Sequence, residues 1–119
     1  MQKRKTWLLA LAMLSIAFPA LAHAFLERSV PAAGGTLTEP PHQIVLSFTE
    51  NVEAAFSTIE VRDAKGATVT VGPSRSPAGN RRQLVVDLPA LAGGEYTVTW
   101  HATSVDTHKT EGSYRFTVK

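Results

Sequence analysis

Five short runs in this chain carry an apolar side chain at every second position. Ile44, Leu46 and Phe48 form the first, and Ile59 and Val61 the second. Leu84, Val86 and Leu88 form the third. Tyr96, Val98 and Trp100, then Tyr114, Phe116 and Val118, complete the set. A period of two with one apolar face is the pattern of a half-buried strand, and no long stretch has helical period. The runs are rich in Val, Thr, Tyr, Phe and Ile, which suit a pleated surface. Phe25–Arg28 and Ala67–Val71 read as two further short strands, for about seven in all. Turn-forming clusters separate the runs: Pro31–Gly35, Pro40–Pro41, Asp63–Gly66, Pro73–Asn80 and Ala92–Gly94. Pro73–Arg82 reads as an exposed loop with a solvated charged face. Each sheet must cover its one apolar face, so two antiparallel sheets around a single core are expected.

The first 22 residues do not fit that pattern. Lys3, Arg4 and Lys5 precede an uncharged, mostly apolar run from Trp7 to Phe18, and Pro19-Ala20-Leu21-Ala22 follows. A charged start, a short apolar centre and a small-x-small end define a secretory signal peptide. The apolar run is too short for a membrane anchor, which needs about 20 residues. Cleavage after Ala22 is expected, dividing the chain into a signal peptide, 1–22, and one domain, 23–119. Ala22-His23-Ala24 is also small-x-small, so the residues alone leave cleavage after Ala24 open.

Three of the twelve cations and none of the ten acids fall in residues 1–22. Residues 23–119 therefore carry nine cations against ten acids, a net charge of −1 with His neutral. No basic patch supports nucleic-acid binding. The chain has no cysteine, and its two methionines, Met1 and Met13, both lie in the leader. The domain thus offers no sulfur ligand and no thiol nucleophile.

All four histidines, His23, His42, His101 and His108, lie in 23–119. Cleavage after Ala22 makes His23 the first residue, which then offers a free amine and a ring nitrogen to one metal. The amine loses its proton easily, since its ordinary pKa is about 7.7. Nitrogen donors in a tetragonal plane suit Cu(II), which also heads the divalent affinity order. Asp106-Thr107-His108 would place a carboxylate and an imidazole on one side of an extended segment. By itself that tripeptide is as compatible with a polar loop. Glu50, at the end of Leu46–Glu50, is either a solvated strand end or part of a site. His42 follows two prolines and reads as exposed. His101 lies opposite the core face of its strand and reads as surface, or as a support to the site.

These residues carry a resemblance. His23-Ala24-Phe25-Leu26 with Ser29–Gly34, Leu46–Glu53 and Leu91–Trp100 resemble the CopC family of periplasmic copper-resistance proteins. So do Ser104-Val105-Asp106-Thr107-His108, Gly112 and Tyr114–Val118. The resemblance runs through nearly all of 23–119. It implies an all-β fold, a seven-stranded antiparallel Greek-key β-sandwich of immunoglobulin-like or cupredoxin-like type, preceded by the cleaved signal peptide. It implies a monomeric, non-enzymatic periplasmic protein that holds or delivers one Cu(II) ion in copper resistance or homeostasis, beside a CopD-type inner-membrane copper protein. The metal ligands it implies are His23, Asp106 and His108, with Glu50 added in some members. Some members also hold Cu(I) in a methionine-rich loop. The matching stretch here, about Asp63–Arg82, has no methionine. Cu(I) prefers soft sulfur donors, so no dedicated Cu(I) site is expected.

Two other readings compete. A copper oxygenase acting on polysaccharides also uses an N-terminal histidine and a second histidine. The chain is short for that, its aromatics fall mostly on core faces, and Asp106 would occupy a position oxygen chemistry needs open. Cleavage after Ala24 would instead discard His23 and leave a metal-free interaction module.

Overall fold

The computed structural model describes residues 23–119. The expected signal peptide, with its apolar run at 7–18, lies outside the described residues. Eight strands follow in chain order: β1 Leu26–Val30, β2 Thr36–Leu37, β3 Gln43–Phe48, β4 Thr58–Arg62, β5 Val71–Arg75, β6 Gln83–Asp87, β7 Gly94–Thr103 and β8 Lys109–Val118. One turn of 3₁₀ helix, Ala54–Phe56, stands between β3 and β4. The strands form two sheets, ordered β1-β3-β6-β5 and β2-β8-β7-β4. Every pairing is antiparallel except β2 with β8, which run parallel over Thr36↔Thr117 and Leu37↔Val118. The eighth strand, β2, has only two residues and so carries no period to read.

The alternating runs form the core as their period requires. Ile44, Leu46 and Phe48 of β3 and Leu84 and Val86 of β6 are buried against Val61, Val98 and Phe116 of the other sheet. Each such side chain contributes about 1.5–3 kcal/mol when removed from water. The Tyr96 and Phe116 rings stack at 5.4 Å, and Tyr96 Oη donates to Ala92 O at 2.7 Å. Trp100 is only partly buried because its ring lies across β8 at its register partner Gly112. A Cβ there would come 2.3 Å from the Trp100 ring, so glycine is required by contact.

Two sequence expectations fail in one region. Ala67–Val71 is not a strand: Thr68 makes a single bridge to Arg62, and the chain pairs again only from Val71. Strand β5 then runs into the stretch read as loop. Gly72, at φ 72°, and Pro73 break its register with β6 between Val71 and Arg75. This strand forms a sheet edge, where a proline without N–H is tolerated. It stays in place through the Arg75–Asp87 ion pair and through Ile59 N donating to Ser74 Oγ at 2.8 Å. Periodicity could not show this strand, because its exposed face is almost continuous.

The longest pairing, β7 with β8, runs from Gly94↔Val118 to Thr103↔Lys109. Its closing turn projects Ser104–His108 from one end of the sandwich, where the site lies.

Candidate metal site

The segment after β3 is fastened to that turn. Val52 bridges Ser104, Glu53 N donates to Thr103 O at 2.8 Å, and Val105 N donates to Asn51 O at 3.2 Å. These bonds bring Glu50 to the same end as Asp106 and His108.

Within the turn, Ser104 N donates to His108 O at 2.8 Å, and Thr107 N donates to Ser104 O at 2.9 Å. The buried Ser104 hydroxyl accepts from His108 N at 3.2 Å and bonds Asp106 Oδ1. Thr107 holds φ 73°, in the left-handed region. A side-chain-bearing residue there costs roughly 1–2 kcal/mol. Asp106 and His108 are therefore neighbours because of a tight turn, not because an extended segment points alternate residues to one side. The i, i+2 argument expected these two side chains side by side, and they are, but a turn rather than an extended segment brings them there.

His108 Nδ1 lies 3.2 Å from Asp106 Oδ2. The nitrogen is buried, yet among the described residues it has no well-aligned hydrogen-bond partner. The short separation and the missing bond are consistent: the carboxylate is near but off the bonding direction. The Ser104 hydroxyl, and after it His108, hold the Asp106 carboxyl below its ordinary range, with partial burial opposing them. Asp106 is thus ionised across neutral pH beside a nitrogen that lacks a partner.

His23 reaches this group from the other sheet. Ala24 is fully buried and anchors the segment. Thr49 Oγ1 accepts from Phe25 N at 3.0 Å and donates to His23 O at 3.2 Å, while Thr49 N donates to Phe25 O at 2.9 Å. Thr110 Oγ1 donates to Ala24 O at 2.6 Å. The His23 ring stands 4.7 Å from that of His108 and stacks at 5.6 Å on Phe25.

Three of the four expected site residues, His23, Asp106 and His108, are therefore joined in one cluster. Glu50 is half-buried at the same end and takes no part in the contacts that join them. His42 is exposed, and its carbonyl serves Leu88 N. His101 is exposed, with Nε2 3.0 Å from Glu111 Oε2 across the hairpin. Sequence reasoning missed Ser104, Thr49 and Thr110. Small hydroxyl residues in strands and turns are too common to signal such a role.

The cluster suits a cation, with one condition. Among the described residues, no group of three His, Cys, Asp or Glu side chains is arranged as a complete ligand set. Two imidazoles bound to one ion at neighbouring positions have centres about 4–5 Å apart, given metal–nitrogen bonds of about 2 Å. The observed 4.7 Å meets that requirement. The unpartnered His108 nitrogen and the ionised Asp106 carboxylate meet it chemically. The His23 nitrogen beside these groups is an amide in the full chain and an amine only if His23 is the first residue.

Fold and site together define a β-sandwich with a cation-competent cluster at one end. The CopC domain family matches residues 26–119, and the chain belongs to that family. It is 40% identical over 113 residues to protein YobA of Escherichia coli strain K12, covering 93% of this chain and 91% of that one. Its structure is similar to CopC from Methylosinus trichosporium OB3b, at TM-score 0.77 and 37% identity, covering 82% of this chain and 94% of the other. It is also similar to PcoC, described as a methionine-rich copper resistance protein from Escherichia coli. There the TM-score is 0.70 and the identity 33%, covering 82% of this chain and 100% of that one. Membership of this family gives the chain a copper-related role in resistance or transport.

Proposed function

We propose that the chain is exported to the periplasm, is cleaved after Ala22, and as a monomer holds or delivers one Cu(II) ion without catalysing a reaction. The ligands are the His23 amine and ring, a His108 ring nitrogen and the Asp106 carboxylate, with Glu50 as a further oxygen donor at the rim. The observation that carries this reading is the His23–His108 ring pair beside an ionised Asp106 and a buried, unpartnered His108 nitrogen. Copper is cargo here. The protein's part is to offer deprotonated nitrogen donors already close together.

Cu(I) is not a second cargo. PcoC is described as methionine-rich, whereas residues 23–119 of this chain contain no methionine and no cysteine. Soft donors for Cu(I) are absent from the domain sequence. A CopD-type membrane protein is the partner this role calls for.

The test is a Cu(II) competition titration on two proteins, one beginning at His23 and one with a single glycine before it. Tight binding by the first and far weaker binding by the second establishes the amine as a ligand. Equal binding by both removes the amine from the site and overturns the reading. Affinity should also fall below about pH 6, where protons compete for imidazole and amine.

A further inference from the structure

The three residues His23–Phe25 are held in an unusual way. They belong to no strand, yet all three carbonyls accept hydrogen bonds: His23 O from Thr49 Oγ1, Ala24 O from Thr110 Oγ1 and Phe25 O from Thr49 N. Phe25 N is also bonded, to Thr49 Oγ1. Thr49 follows β3 in one sheet, and Thr110 lies in β8 of the other. The tripeptide is therefore clamped between the two sheets, with Ala24 fully buried beneath it. None of these four bonds uses the His23 nitrogen.

The consequence is geometric. Bonds at His23 O and Ala24 O orient the peptide planes on both sides of the Ala24 α-carbon. Once the first plane is set, only rotation about the His23 Cα–C bond can swing its nitrogen, and that rotation would also carry the ring away from its stack on Phe25 and its place beside His108. An unclamped terminal residue is free to sample many orientations, and a metal must order it at an entropic cost. A clamped one has fewer orientations left to lose when the metal arrives.

We propose that Thr110 and Thr49 are positioning residues that aim the His23 amine at the His108 and Asp106 donors, so that Cu(II) binds a preformed terminus. The proposal rests on the amine-ligand reading above and adds the device that orients the amine. Thr110 is the sharper probe: its hydroxyl makes a single bond to the segment, and Thr110→Val removes that bond at nearly constant shape.

The experiment uses the protein beginning at His23, the same protein with one added glycine, and Thr110→Val and Thr110→Ser in each. Cu(II) affinity and dissociation rate are measured by competition and stopped flow, and folding of each variant by near-ultraviolet circular dichroism. In the His23-first protein, Thr110→Val should weaken Cu(II) binding about three- to tenfold, the range expected for one lost hydrogen bond that holds a ligand in place. Most of that loss should appear as faster dissociation, and Thr110→Ser should restore it. In the glycine-extended protein, Thr110→Val should have no further effect, because no amine remains at that position to aim.

A folded Thr110→Val that binds as tightly as the parent overturns the proposal. So does an equal loss in both backgrounds, which would mark a general effect on the fold. If Thr110→Val does not fold, Thr49→Val with Thr49→Ser as its rescue carries the same test, since Thr49 N still bonds Phe25 O in both. Failure of the copper reading is separately visible: the glycine would then make no difference in the parent protein.

Discussion

The β7–β8 hairpin carries two histidine–carboxylate pairs of the same chemistry in different surroundings. His108 and Asp106 sit in its closing turn, with side chains 34% and 38% exposed. His101 and Glu111 face each other across its strands, with side chains 61% and 75% exposed. The second pair has the better single contact, 3.0 Å against 3.2 Å. It is nonetheless an ordinary surface pair, whose attraction water screens and whose contribution to stability is small. The first pair has a buried nitrogen without a hydrogen-bond partner among the described residues, a carboxylate already engaged by Ser104, and a second imidazole 4.7 Å away. A good contact completes a pair and leaves nothing for a ligand. An incomplete one, held by a rigid turn, leaves a place for a cation.

Substitutions should separate the two pairs. The largest effect expected is on copper. In the protein beginning at His23, His108→Ala should lower Cu(II) affinity by about a hundredfold or more, because it removes a nitrogen donor from the small ligand set proposed above. His101→Ala should change it less than about twofold, as an exposed pair that touches no other site residue. Competition titration of both variants decides. Equal losses would erase the distinction between the pairs.

Next comes the hairpin that both pairs share. Gly112→Ala would drive a methyl group into the Trp100 ring, and should cost about 2–3 kcal/mol in denaturant unfolding, as overpacking does. Copper affinity of the folded fraction should hold if the turn is independent of the strands beneath it.

Carboxylate removal should give a smaller contrast on copper. Asp106→Asn should weaken Cu(II) binding about tenfold, whether the oxygen binds the ion or steadies His108, while Glu111→Gln should leave it unchanged. Titration of the pair of variants side by side checks this.

Relaxing the turn should matter less again. Thr107→Gly places the one residue without a Cβ at φ 73°, and should leave stability unchanged or raise it by up to about 1 kcal/mol in urea unfolding. A clear loss would mean that the Thr107 side chain, not its backbone, shapes the turn.

The smallest effect lies outside both pairs and serves as their control at alkaline pH. Burial pushes the Tyr114 hydroxyl from 10.0 up to about 12, with Ser29 drawing it back only in part. Between those values the unfolded chain releases a proton that the folded chain keeps, so stability falls as pH rises. Tyr114→Phe should flatten that slope in unfolding midpoints measured from pH 9 to 12. A slope that survives the substitution would assign it to another group.

Much of this was legible beforehand in particular residues. The period of two at Ile44–Phe48, Leu84–Leu88 and Tyr114–Val118 led directly to buried faces, because one-sided burial requires that spacing. The β5 edge at Val71–Arg75 was not legible, since Gly72, Pro73 and its exposed side chains carry strand pairing only through the backbone. His23, Asp106 and His108 were named, but the reason offered for the last two was an extended segment rather than a turn. The left-handed Thr107 could not be foreseen, because threonine seldom adopts that conformation and it is imposed here by bonds to Ser104.

The sequence by itself determined the all-β class, the core faces, the lack of sulfur donors in 23–119 and which residues have side chains able to bind a metal. Those properties depend on residue type and local spacing alone. Only the tertiary structure decided that His23 meets His108, that Ser104 turns Asp106 toward it, and that His101 stays a surface residue. The His23–Phe25 segment reaches Thr49 and Thr110 across 24 and 86 residues of chain. Contacts that distant exist only because two sheets close around one core and bring the ends of their strands together.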